Sequence, residues 1–561
     1  MRRWFITLFL ALLCLLVTLL AIDADPKAAL RGYVRTESDG FKSYDRASLD
    51  DDAFGAVYFT HGDFSALSTD TLRVSATPWV LAAALLGLAE AKGNPDQVSL
   101  AAVNDAFQRF GFHARARVAN WPADVPQPAL ETPFGLNVGT ASRLLPPISV
   151  TIANIGCPAC HSGVVYQADG RPDISRAWIG APNSSINLEG YTIALYGAMR
   201  DYSGDEPRLW RAIDKLFPEL SFRERQTLKL VVMPALQSRL QILEAELGRA
   251  IPFSCGLPGA TNGLDSLKAR LGMIPAGTII KDSAFNSVPD LGGRLARTAL
   301  LNTSSYVVPG TDPNRTINTG AIDAKHIRDL AAMVTFFTVP SMGVTPEAAE
   351  ENIGNTERVM TWLKTYQPQP YPKAVDATRA RRGQAIYAAQ CAACHGSYSD
   401  DPEVPQLLSF PNWLGDVGTD PLRKDLFDDD VARNLNATLT GKYIHVVAGK
   451  GYAAPPLAGL WSSAPYFHNG SIPTLWHLMH PAERPIAFEV GGHALDLDLV
   501  GITGEMRPDQ QWLYPDSYKP WSDPVLIDTR KSGLSNRGHE QPFDTMPEGD
   551  KQDLIEYLKR L

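Results

Sequence analysis

Two short segments of the chain carry cysteine and histidine at a spacing suited to covalent cofactor attachment: Cys157-Pro-Ala-Cys160-His161 and Cys391-Ala-Ala-Cys394-His395. Two cysteines three positions apart on one helical turn can each form a thioether with a vinyl group of one haem. The histidine that follows then reaches the iron as an axial ligand. The spacing therefore predicts two covalently bound haem c groups, the first ligated by His161 and the second by His395.

Other chemistries are compatible with a single Cys-x-x-Cys-His segment: a fragment of a zinc site, a redox-active dithiol, or a chance match beside one haem. A structural zinc site takes four closely spaced ligands. The two segments lie in opposite halves of the chain, and neither has a second pair of ligands nearby. A thioredoxin-like dithiol does not require the following histidine. Two haems therefore explain the repeated motif best.

The N-terminus carries an apolar run, residues 4–22, directly after Arg2 and Arg3. The run has the composition of a signal peptide, and it is also long enough to cross a bilayer. Because no small-residue cleavage site is evident, an uncleaved inner-membrane anchor is favoured over removal of residues 1–24. The arginines should stay in the cytoplasm, which places the remainder in the periplasm, where bacteria attach haem c. Cys14 follows a leucine rather than a small residue, so we expect no lipidation there.

The composition is that of an ordinary globular protein. The chain has 561 residues, a length that is enough for two or three domains. Its residues are 45% hydrophobic and 20% charged, and its formal net charge is −9. No basic tract stands out, so nucleic acid is not an expected partner. Cys255 lies outside the two motifs and is best read as a buried small residue, with a ligand or reactive thiol as the alternative.

A proline-rich segment from Tyr366 to Pro372 predicts an extended linker between domains. We therefore expect an N-terminal haem domain over residues 25–371 and a C-terminal cytochrome c domain over residues 372–561. The predicted fold is mainly α, with two cytochrome c-type haem domains, long loops and few strands. Helices are predicted at residues 79–89, 98–110, 186–201, 222–250, 322–338 and 346–365.

The two motifs sit in different predicted surroundings. Before the second, Asp376 is placed to cap a helix that leads to Cys391, as in the first helix of small cytochromes c. A capping box, Thr545 to Glu548, opens the last helix, whose apolar stripe contains Leu554, Tyr557, Leu558 and Leu561. The residues before Cys157 are proline and β-branched residues, which predict extended chain instead.

Each iron needs a second axial ligand for electron transfer, or an open face for binding dioxygen or peroxide. His539 is the favoured second ligand at the His395 haem, since it lies in a turn-like segment just before the last helix. Met479, Met506 and Met546 are the competing ligands. His326 is read as a surface histidine, or as a sixth ligand of the first haem. His477 and His480 are read as surface residues.

Residues 454–475, APPLAGLWSSAPYFHNGSIPTL, together with the SNRGHE sequence around His539 and the terminal LIEYL, carry a family resemblance. They are similar to the dihaem peroxidase and MauG-like superfamily, and within it to the rubber-oxygenase (RoxA-like) branch. The resemblance is strong over residues 372–561 and loose over residues 140–200.

The resemblance implies that His395 and His539 ligate a low-spin electron-transfer haem. It also implies that the haem ligated by His161 has an open face, where dioxygen or peroxide is activated. The Tyr466–Asn469 turn is read as packing at the haem edge, or as positioning a haem propionate. Calcium between the domains, as in the related peroxidases, is left open.

The chain departs from the rubber oxygenases between its two motifs. No tryptophan lies between Trp210 and Trp362, and the stretch from Asp290 to Ser304 is aliphatic and polar. Polyisoprene is therefore not an expected substrate. The functions that remain are a dihaem oxidoreductase, an electron carrier without substrate chemistry, and a haem-based sensor or assembly protein. The expected partners are a redox protein or small electron donor, and a small-molecule substrate, dioxygen or peroxide.

Overall fold

The computed structural model describes residues 38–62, 77–114, 116–127, 132–143, 148–247, 256–275, 284–342 and 344–561. The apolar run at residues 4–22, Cys14 and Cys255 lie outside the described residues. Helices account for 40% and strands for 16% of the structure, so the mainly α fold is not confirmed. Among the described residues, no helix has both the length and the apolarity needed to cross a membrane.

The helices of the described residues are α1 Asp39–Lys42, α2 Asp51–His61, α3 Trp79–Glu90, α4 Leu100–Arg109, α5 Cys157–Cys160, α6 Leu188–Tyr202, α7 Glu206–Leu216, α8 Phe222–Thr227, α9 Met233–Leu247, α10 Leu264–Arg270, α11 Ala324–Met342, α12 Pro346–Trp362, α13 Ala377–Gln390, α14 Ala392–His395, α15 Leu422–Leu426, α16 Asp429–Asn436, α17 Leu475–Met479 and α18 Glu548–Leu558. A π-helical turn, Leu228–Val232, joins α8 to α9. The helices predicted in the N-terminal half therefore form, with shifts of a few residues at their ends.

The strands are short and form several small sheets. Three strands flank the first motif: β3 Leu136–Arg143, β4 Ile148–Ile155 and β5 Ser162–Tyr166. The remaining strands are β1 Thr77–Pro78, β2 Arg117–Val118, β6 Pro172–Ile179, β7 Ala260–Thr261, β8 Asn286–Ser287, β9 Ala299–Leu300, β10 Tyr306–Val307, β11 Ile317–Asn318, β12 Ser397–Tyr398, β13 Leu407–Phe410, β14 Leu414–Gly415, β15 His445–Val446, β16 Tyr452–Ala453, β17 Ala487–Val490, β18 Leu495–Asp496, β19 Gly501–Ile502, β20 Glu505–Met506, β21 Gln511–Leu513 and β22 Val525–Asp528.

The first motif lies between two sheets, as the β-branched sequence before it predicts. β3 and β4 pair antiparallel, from Leu136 opposite Ile155 to Arg143 opposite Ile148. β4 ends one residue before Gly156, and the single turn of α5 then carries both cysteines. β5 follows His161 directly and pairs antiparallel with β6. The first motif is therefore a tight corner between sheets rather than the end of a long helix.

The second motif lies at the end of a helix, as predicted. The Asp376 carboxylate accepts hydrogen bonds from the backbone N–H groups of Thr378 (2.9 Å) and Arg379 (3.0 Å), and this caps α13. α13 crosses the terminal helix α18 at Gly383, where the two backbones approach closely. The predicted stripe on α18 is buried, with Leu554 only 1% exposed. The crossing of α13 and α18 forms the framework of the second site.

The terminal helix does not begin with the predicted capping box. Pro547 is the N-cap residue of α18, and the hydroxyl of Thr545 donates to the carbonyl of Pro542 instead. The Glu548 carboxylate accepts a hydrogen bond from Nε2 of His480, at 2.8 Å. The side chain of Pro547 has no hydrogen-bond acceptor, so it cannot cap α18, which begins at Glu548. The Glu548 carboxylate bonds His480 instead of the backbone at the start of the helix.

The proline-rich linker carries no regular structure, but it is held in place. Gln369 is 5% exposed, and its amide donates to the carbonyl of Val164 and accepts from the backbone of Tyr166. Trp461 donates its indole N–H to the Gln369 carbonyl, at 2.8 Å. One buried core accordingly contains Val164 and Tyr166 together with apolar side chains drawn from residues 257–285 and 387–561. The boundary between residues 371 and 372 stays a prediction.

Gly383→Ala should destabilise the protein. An added Cβ would lie 2.0 Å from the backbone oxygen of Asp553, so α13 and α18 must move apart. Overpacking of this kind costs about 1–3 kcal/mol, which outweighs the gain of about 1 kcal/mol in helix propensity. Chemical denaturation measures the difference. Gly549→Ala on α18 is the control, since nothing lies within 4 Å of its added Cβ. Equal stability of the two variants would show that the crossing tolerates separation.

Candidate functional site

The second motif presents its histidine with one ring nitrogen already engaged. The Nδ1 of His395 donates a hydrogen bond to the carbonyl of Pro455, at 2.9 Å. This bond fixes the tautomer and the ring orientation, and it leaves Nε2 with its lone pair for a metal. Burial lowers the pKa of His395 to about 4, so the imidazole is neutral at physiological pH.

His539, the predicted second ligand, lies opposite His395. The centres of the two imidazole rings are 6.2 Å apart. With about 2.0 Å from nitrogen to metal and about 1.1 Å from nitrogen to ring centre, two imidazoles on one iron have ring centres about 6.2 Å apart. The Nδ1 of His539 is buried and has no hydrogen-bond partner among the described residues. The pair thus fits the two axial positions of one haem iron.

The competing methionines are not needed at this position. Met479 is fully buried in the core around α17, and Met506 is 44% exposed on β20. Met546 packs partly buried against the same core, beside a cavity of about 540 Å³ between α13 and the segment before α18. The imidazole of His539, rather than one of these thioethers, faces His395.

The loop that carries His539 is held by features that sequence analysis did not identify. His539 has a φ of 50°, and the preceding Gly538 has a φ of 89°. A Cβ on Gly538 would lie 2.3 Å from the backbone of Gly418, so only glycine fits there. The N–H of His539 donates to the carbonyl of Val417, at 2.7 Å. Phe543 stacks on the imidazole with 5.7 Å between ring centres.

Arg484 clamps this loop from the other side. Its guanidinium donates to the carbonyls of Asn536 (2.6 Å) and Gly538 (3.0 Å). The same group donates to the carbonyls of His477 (3.2 Å) and Leu478 (2.9 Å), which belong to α17. The guanidinium of Arg484 therefore joins the His539 loop to α17. Its N–H donors lie in one plane at fixed angles, so it can bond several carbonyl groups at once.

The Tyr466–Asn469 turn supports the same loop, which agrees with its interpretation as packing. The amide of Asn469 donates to the carbonyls of Gly533 and Ser535, each at 3.1 Å. The hydroxyl of Ser471 donates to the Ser535 carbonyl as well, at 2.9 Å. His468 stacks on Tyr452 with 3.8 Å between ring centres, and burial with nearby Arg423 lowers its pKa to about 3. The propionate role stays a prediction.

The first motif holds its histidine in the same manner. The Nδ1 of His161 donates to the carbonyl of Pro289, at 3.1 Å, which leaves Nε2 for a metal. Burial lowers the pKa of His161 to about 4. The amide of Asn183 donates to the Ala159 carbonyl (3.0 Å), and the Asn183 N–H donates to the Cys160 carbonyl (2.7 Å), so the motif turn is rigidly held.

The cysteines of both motifs are partly buried. All four are free of disulfide bonds. Burial raises the pKa of Cys157 to about 11, and of Cys160 and Cys391 to about 12. A redox-active dithiol requires a lowered thiol pKa, so these surroundings do not suit that chemistry. Among the described residues, no group of three or more candidate ligands converges on a metal position. Calcium stays a prediction.

Three histidines that were interpreted as surface residues are buried or half-buried. His326 is 7% exposed; its Nε2 donates to the Leu295 carbonyl, and its Nδ1 accepts from Arg315. Both ring nitrogens of His326 take part in hydrogen bonds, so neither is available to bind an iron. His477 is 1% exposed and bonded to Thr474, while His480 pairs with Glu548. The sequence missed these environments because the Leu295 carbonyl, the Glu548 carboxylate and the Trp512 ring that packs on His477 are all remote in sequence.

His61 is a candidate that sequence analysis did not single out. It ends α2, a helix that packs against α5 of the first motif. Its Nε2 is buried and has no hydrogen-bond partner among the described residues. The next residue, Gly62, accepts a bond from Asn137 (3.5 Å), and a Cβ on Gly156 would lie 2.6 Å from the same amide. His61 thus lies close to the first motif with one nitrogen uncommitted.

One cavity of the described residues has a volume of about 930 Å³. It lies along the linker, between Tyr366 and Val375, and its other walls include Gly292, Tyr398 and Trp461. Its lining does not include the residues of either motif. An apolar pocket directly over the first haem, which an enzyme would need, therefore stays a prediction.

Comparisons with known families match the C-terminal part of the chain. Residues 451–489 match the family model described as RoxA-like, cytochrome c-like. Residues 378–460 match the family model of cytochrome C oxidase, cbb3-type, subunit III. The matches support a cytochrome c-like domain with covalently bound haem c and haem-based electron transfer. Cytochrome c domains are typically periplasmic or extracellular.

Two curated proteins of Sinorhizobium fredii (strain NBRC 101917 / NGR234) are similar in sequence. The uncharacterized protein y4iM is 29% identical over 291 residues, which cover 43% of this chain and 60% of that protein. The uncharacterized protein y4iJ is 37% identical over 121 residues, 20% of this chain and 18% of that protein. The chain thus spans less than two thirds of the length of each relative, and neither name specifies an activity.

Arg484→Met should loosen the ligand at the second site. Four backbone carbonyls lose their donor, so the His539 loop should shift away from His395 and stability should fall by about 2 kcal/mol. We expect a high-spin fraction in the EPR spectrum and new binding of carbon monoxide to the reduced protein. Arg530→Met is the control, since Arg530 contacts only the neighbouring carboxylate of Asp528 in an exposed pair. Unchanged low-spin signals in Arg484→Met would show that the clamp does not position His539.

Proposed function

We propose that the chain is a dihaem c-type cytochrome that activates dioxygen or peroxide at the haem held by Cys157, Cys160 and His161. The haem held by Cys391, Cys394 and His395, with His539 as second ligand, supplies or accepts the electrons. Haem iron transfers single electrons when two strong ligands hold it, and binds dioxygen or peroxide where one position is open. The single observation that carries the proposal is the difference between the two histidine environments.

At the second site the chain supplies both axial ligands and fixes each of them. His395 is held by the Pro455 carbonyl, and His539 by the Val417 carbonyl and the stacked ring of Phe543. Ligands that are rigid in both oxidation states keep the rearrangement on electron transfer small. The cavity of about 540 Å³ beside Gln390 and Met546 lies at the same end of α13. A redox partner protein or small electron donor would exchange electrons at this site.

At the first site the chain supplies one fixed imidazole, and His61 is a nearby histidine with an uncommitted ring nitrogen. Every histidine of the chain lies within the described residues. Only His395 and His539 face each other at the separation that two ligands of one iron require. His113 donates to the Ser162 carbonyl, and its ring stacks on Trp521. The face opposite His161 is thus proposed to take a small molecule instead of a protein ligand.

One observation favours the alternative of an electron carrier without substrate chemistry. The uncommitted Nε2 of His61 is close to the first motif, and a sixth ligand there would close the iron to substrate. In the enzyme the same nitrogen would be placed to donate a hydrogen bond to a bound oxygen species. The enzyme hypothesis and the electron-carrier hypothesis assign His61 different roles, so a variant of His61 distinguishes between the two hypotheses.

The proposal extends to the setting of the protein. The apolar run at residues 4–22 would export the chain to the periplasm and anchor it in the inner membrane, or be removed after export. The organic substrate, if there is one, is a small molecule, and calcium between the two haem domains would be structural. These statements rest on the sequence pattern and the resemblance.

The first test is haem content and ligand binding of the purified protein. Pyridine haemochrome should give two haems per chain, and one after Cys391→Ala with Cys394→Ala, or after Cys157→Ala with Cys160→Ala. Low-temperature EPR should show one low-spin and one high-spin haem, and cyanide or carbon monoxide should perturb only the high-spin signal. Two low-spin haems that ignore both ligands, in the oxidised and in the half-reduced protein, would leave the electron carrier.

His61→Ala is the second test. In the proposed enzyme the variant keeps the high-spin signal and still binds carbon monoxide, with faster release because a stabilising donor is lost. In the electron carrier the variant converts a low-spin first haem to high spin and gains carbon monoxide binding. Flash photolysis of the carbon monoxide complex measures both quantities. His445→Ala is the control, since His445 is exposed on β15.

A further inference from the structure

The carbonyl groups that hold the two motif histidines belong to two loops that pack against each other. Pro289, which accepts from His161, begins a loop that continues through Asp290 and Gly293. Pro455, which accepts from His395, begins a loop that continues to Gly459. Each loop is thus one hydrogen bond away from an axial imidazole.

Three glycines allow the two loops to touch. A Cβ on Gly292 would lie 2.6 Å from the Cβ of Ala458, and a Cβ on Gly293 would lie 2.9 Å from the Cβ of Pro456. A Cβ on Gly459 would lie 2.4 Å from a carboxylate oxygen of Asp290. Separations below 3.0 Å are not tolerated between real Cβ atoms and their neighbours, so side chains at these positions would force the loops apart.

Buried polar groups lock the contact. Asp290 is 4% exposed; one carboxylate oxygen accepts from the Gly292 N–H (2.7 Å) and the other from the Tyr366 hydroxyl (3.2 Å). The Tyr398 hydroxyl accepts from the N–H of Leu457, at 2.8 Å, in the opposite loop. Arg297 donates to the Ala454 carbonyl, at 3.2 Å, immediately before Pro455. Hydrogen bonds therefore fix each loop to the residues around it, while the direct contact between the two loops is van der Waals packing.

We infer that these two loops, residues 289–293 and 455–459, form the electron-transfer junction between the two haem sites. The path runs from His161 through its hydrogen bond to Pro289, along the backbone to Gly293, across one van der Waals contact to Pro456, and through Pro455 to His395. Covalent and hydrogen-bonded atoms carry tunnelling electrons better than open gaps, and this path has a single through-space step.

One electron that crosses the junction oxidises the haem it leaves and reduces the haem it reaches, without an added reactant. The inference deepens the proposed function and rests on it, because it requires both haems. The junction is made of backbone and glycine contacts, whereas the sequence has no tryptophan between Trp210 and Trp362 that could bridge the sites.

Gly292→Ala tests the junction in the full-length holoprotein. The new methyl group should push the loops apart and slow the intramolecular electron transfer several-fold. Laser-flash reduction by a flavin semiquinone measures it as a kinetic phase whose rate is independent of protein concentration. Gly441→Ala is the matched control, since nothing lies within 4 Å of its added Cβ. The control should retain the wild-type rate.

A compensating pair separates a direct role from general damage. In Gly292→Ala with Ala458→Gly, the methyl group moves from one loop to the other, and the clash between the two Cβ atoms disappears. The methyl group keeps contacts of 3.0 Å with Asp290 and Pro368, which lie in its own loop and the linker and do not separate the two loops. The double variant should recover much of the lost rate, while Ala458→Gly alone should stay near wild type. EPR and haem content are measured on each variant, so a change in ligation is detected separately from a change in rate.

The outcomes distinguish the junction from the proposed function. Two intact haems in Gly292→Ala, with an unchanged intramolecular rate, would overturn the junction and leave the proposed function standing. A slower rate without recovery in the double variant would also overturn it, since the loss would then come from elsewhere. A wild-type protein with one haem would instead overturn the proposed function on which the junction rests.

Discussion

The hydrogen bond from the imidazole of each motif to a backbone carbonyl is the interaction on which both sites depend. His161 donates to Pro289 and His395 donates to Pro455, at 3.1 and 2.9 Å. Each bond selects the tautomer with a free Nε2 and stops rotation of the ring. Neither carbonyl belongs to the motif itself. The motif supplies the ligand, but a loop more than fifty residues away in sequence decides which way it faces.

Both carbonyls precede loops that touch, so this contact links the hydrogen-bond partners of the two motif imidazoles. Asp290 takes part in this link, and burial raises its pKa to about 7. Burial lowers the pKa of Arg294 to about 10, and Arg294 in turn helps to lower the pKa of His161. Charges enclosed in this way act on both sites at low dielectric, where they are weakly screened. The region between the sites is thus electrostatically organised as well as tightly packed.

Most local signals in the sequence predicted local structure correctly. The Asp376 cap, the helix that leads to Cys391, the apolar stripe of α18 and the extended chain before Cys157 all have the predicted form. One local signal failed, since the capping box at Thr545–Glu548 does not form and Pro547 is the N-cap of α18. The other failures are long-range. His326 and His477 were interpreted as surface residues because the Leu295 carbonyl that bonds His326 and the Trp512 ring that packs on His477 are remote in sequence. Arg484 was missed for the same reason, since its partners are carbonyl groups, which every residue has.

The many short strands explain why the two sites differ although their motifs are nearly identical. At the second motif a helix precedes the cysteines, and a terminal helix crosses it, so the chain must return past the motif and can bring His539 with it. At the first motif strands enter and leave, and the turn is enclosed by α2, by the sheet of β3 and β4, and by Asn183. His61, at the end of α2, comes near the first motif with an uncommitted Nε2. The two motif histidines therefore differ in the elements around them: a returning loop that carries His539 at the second motif, and strands with the end of α2 at the first.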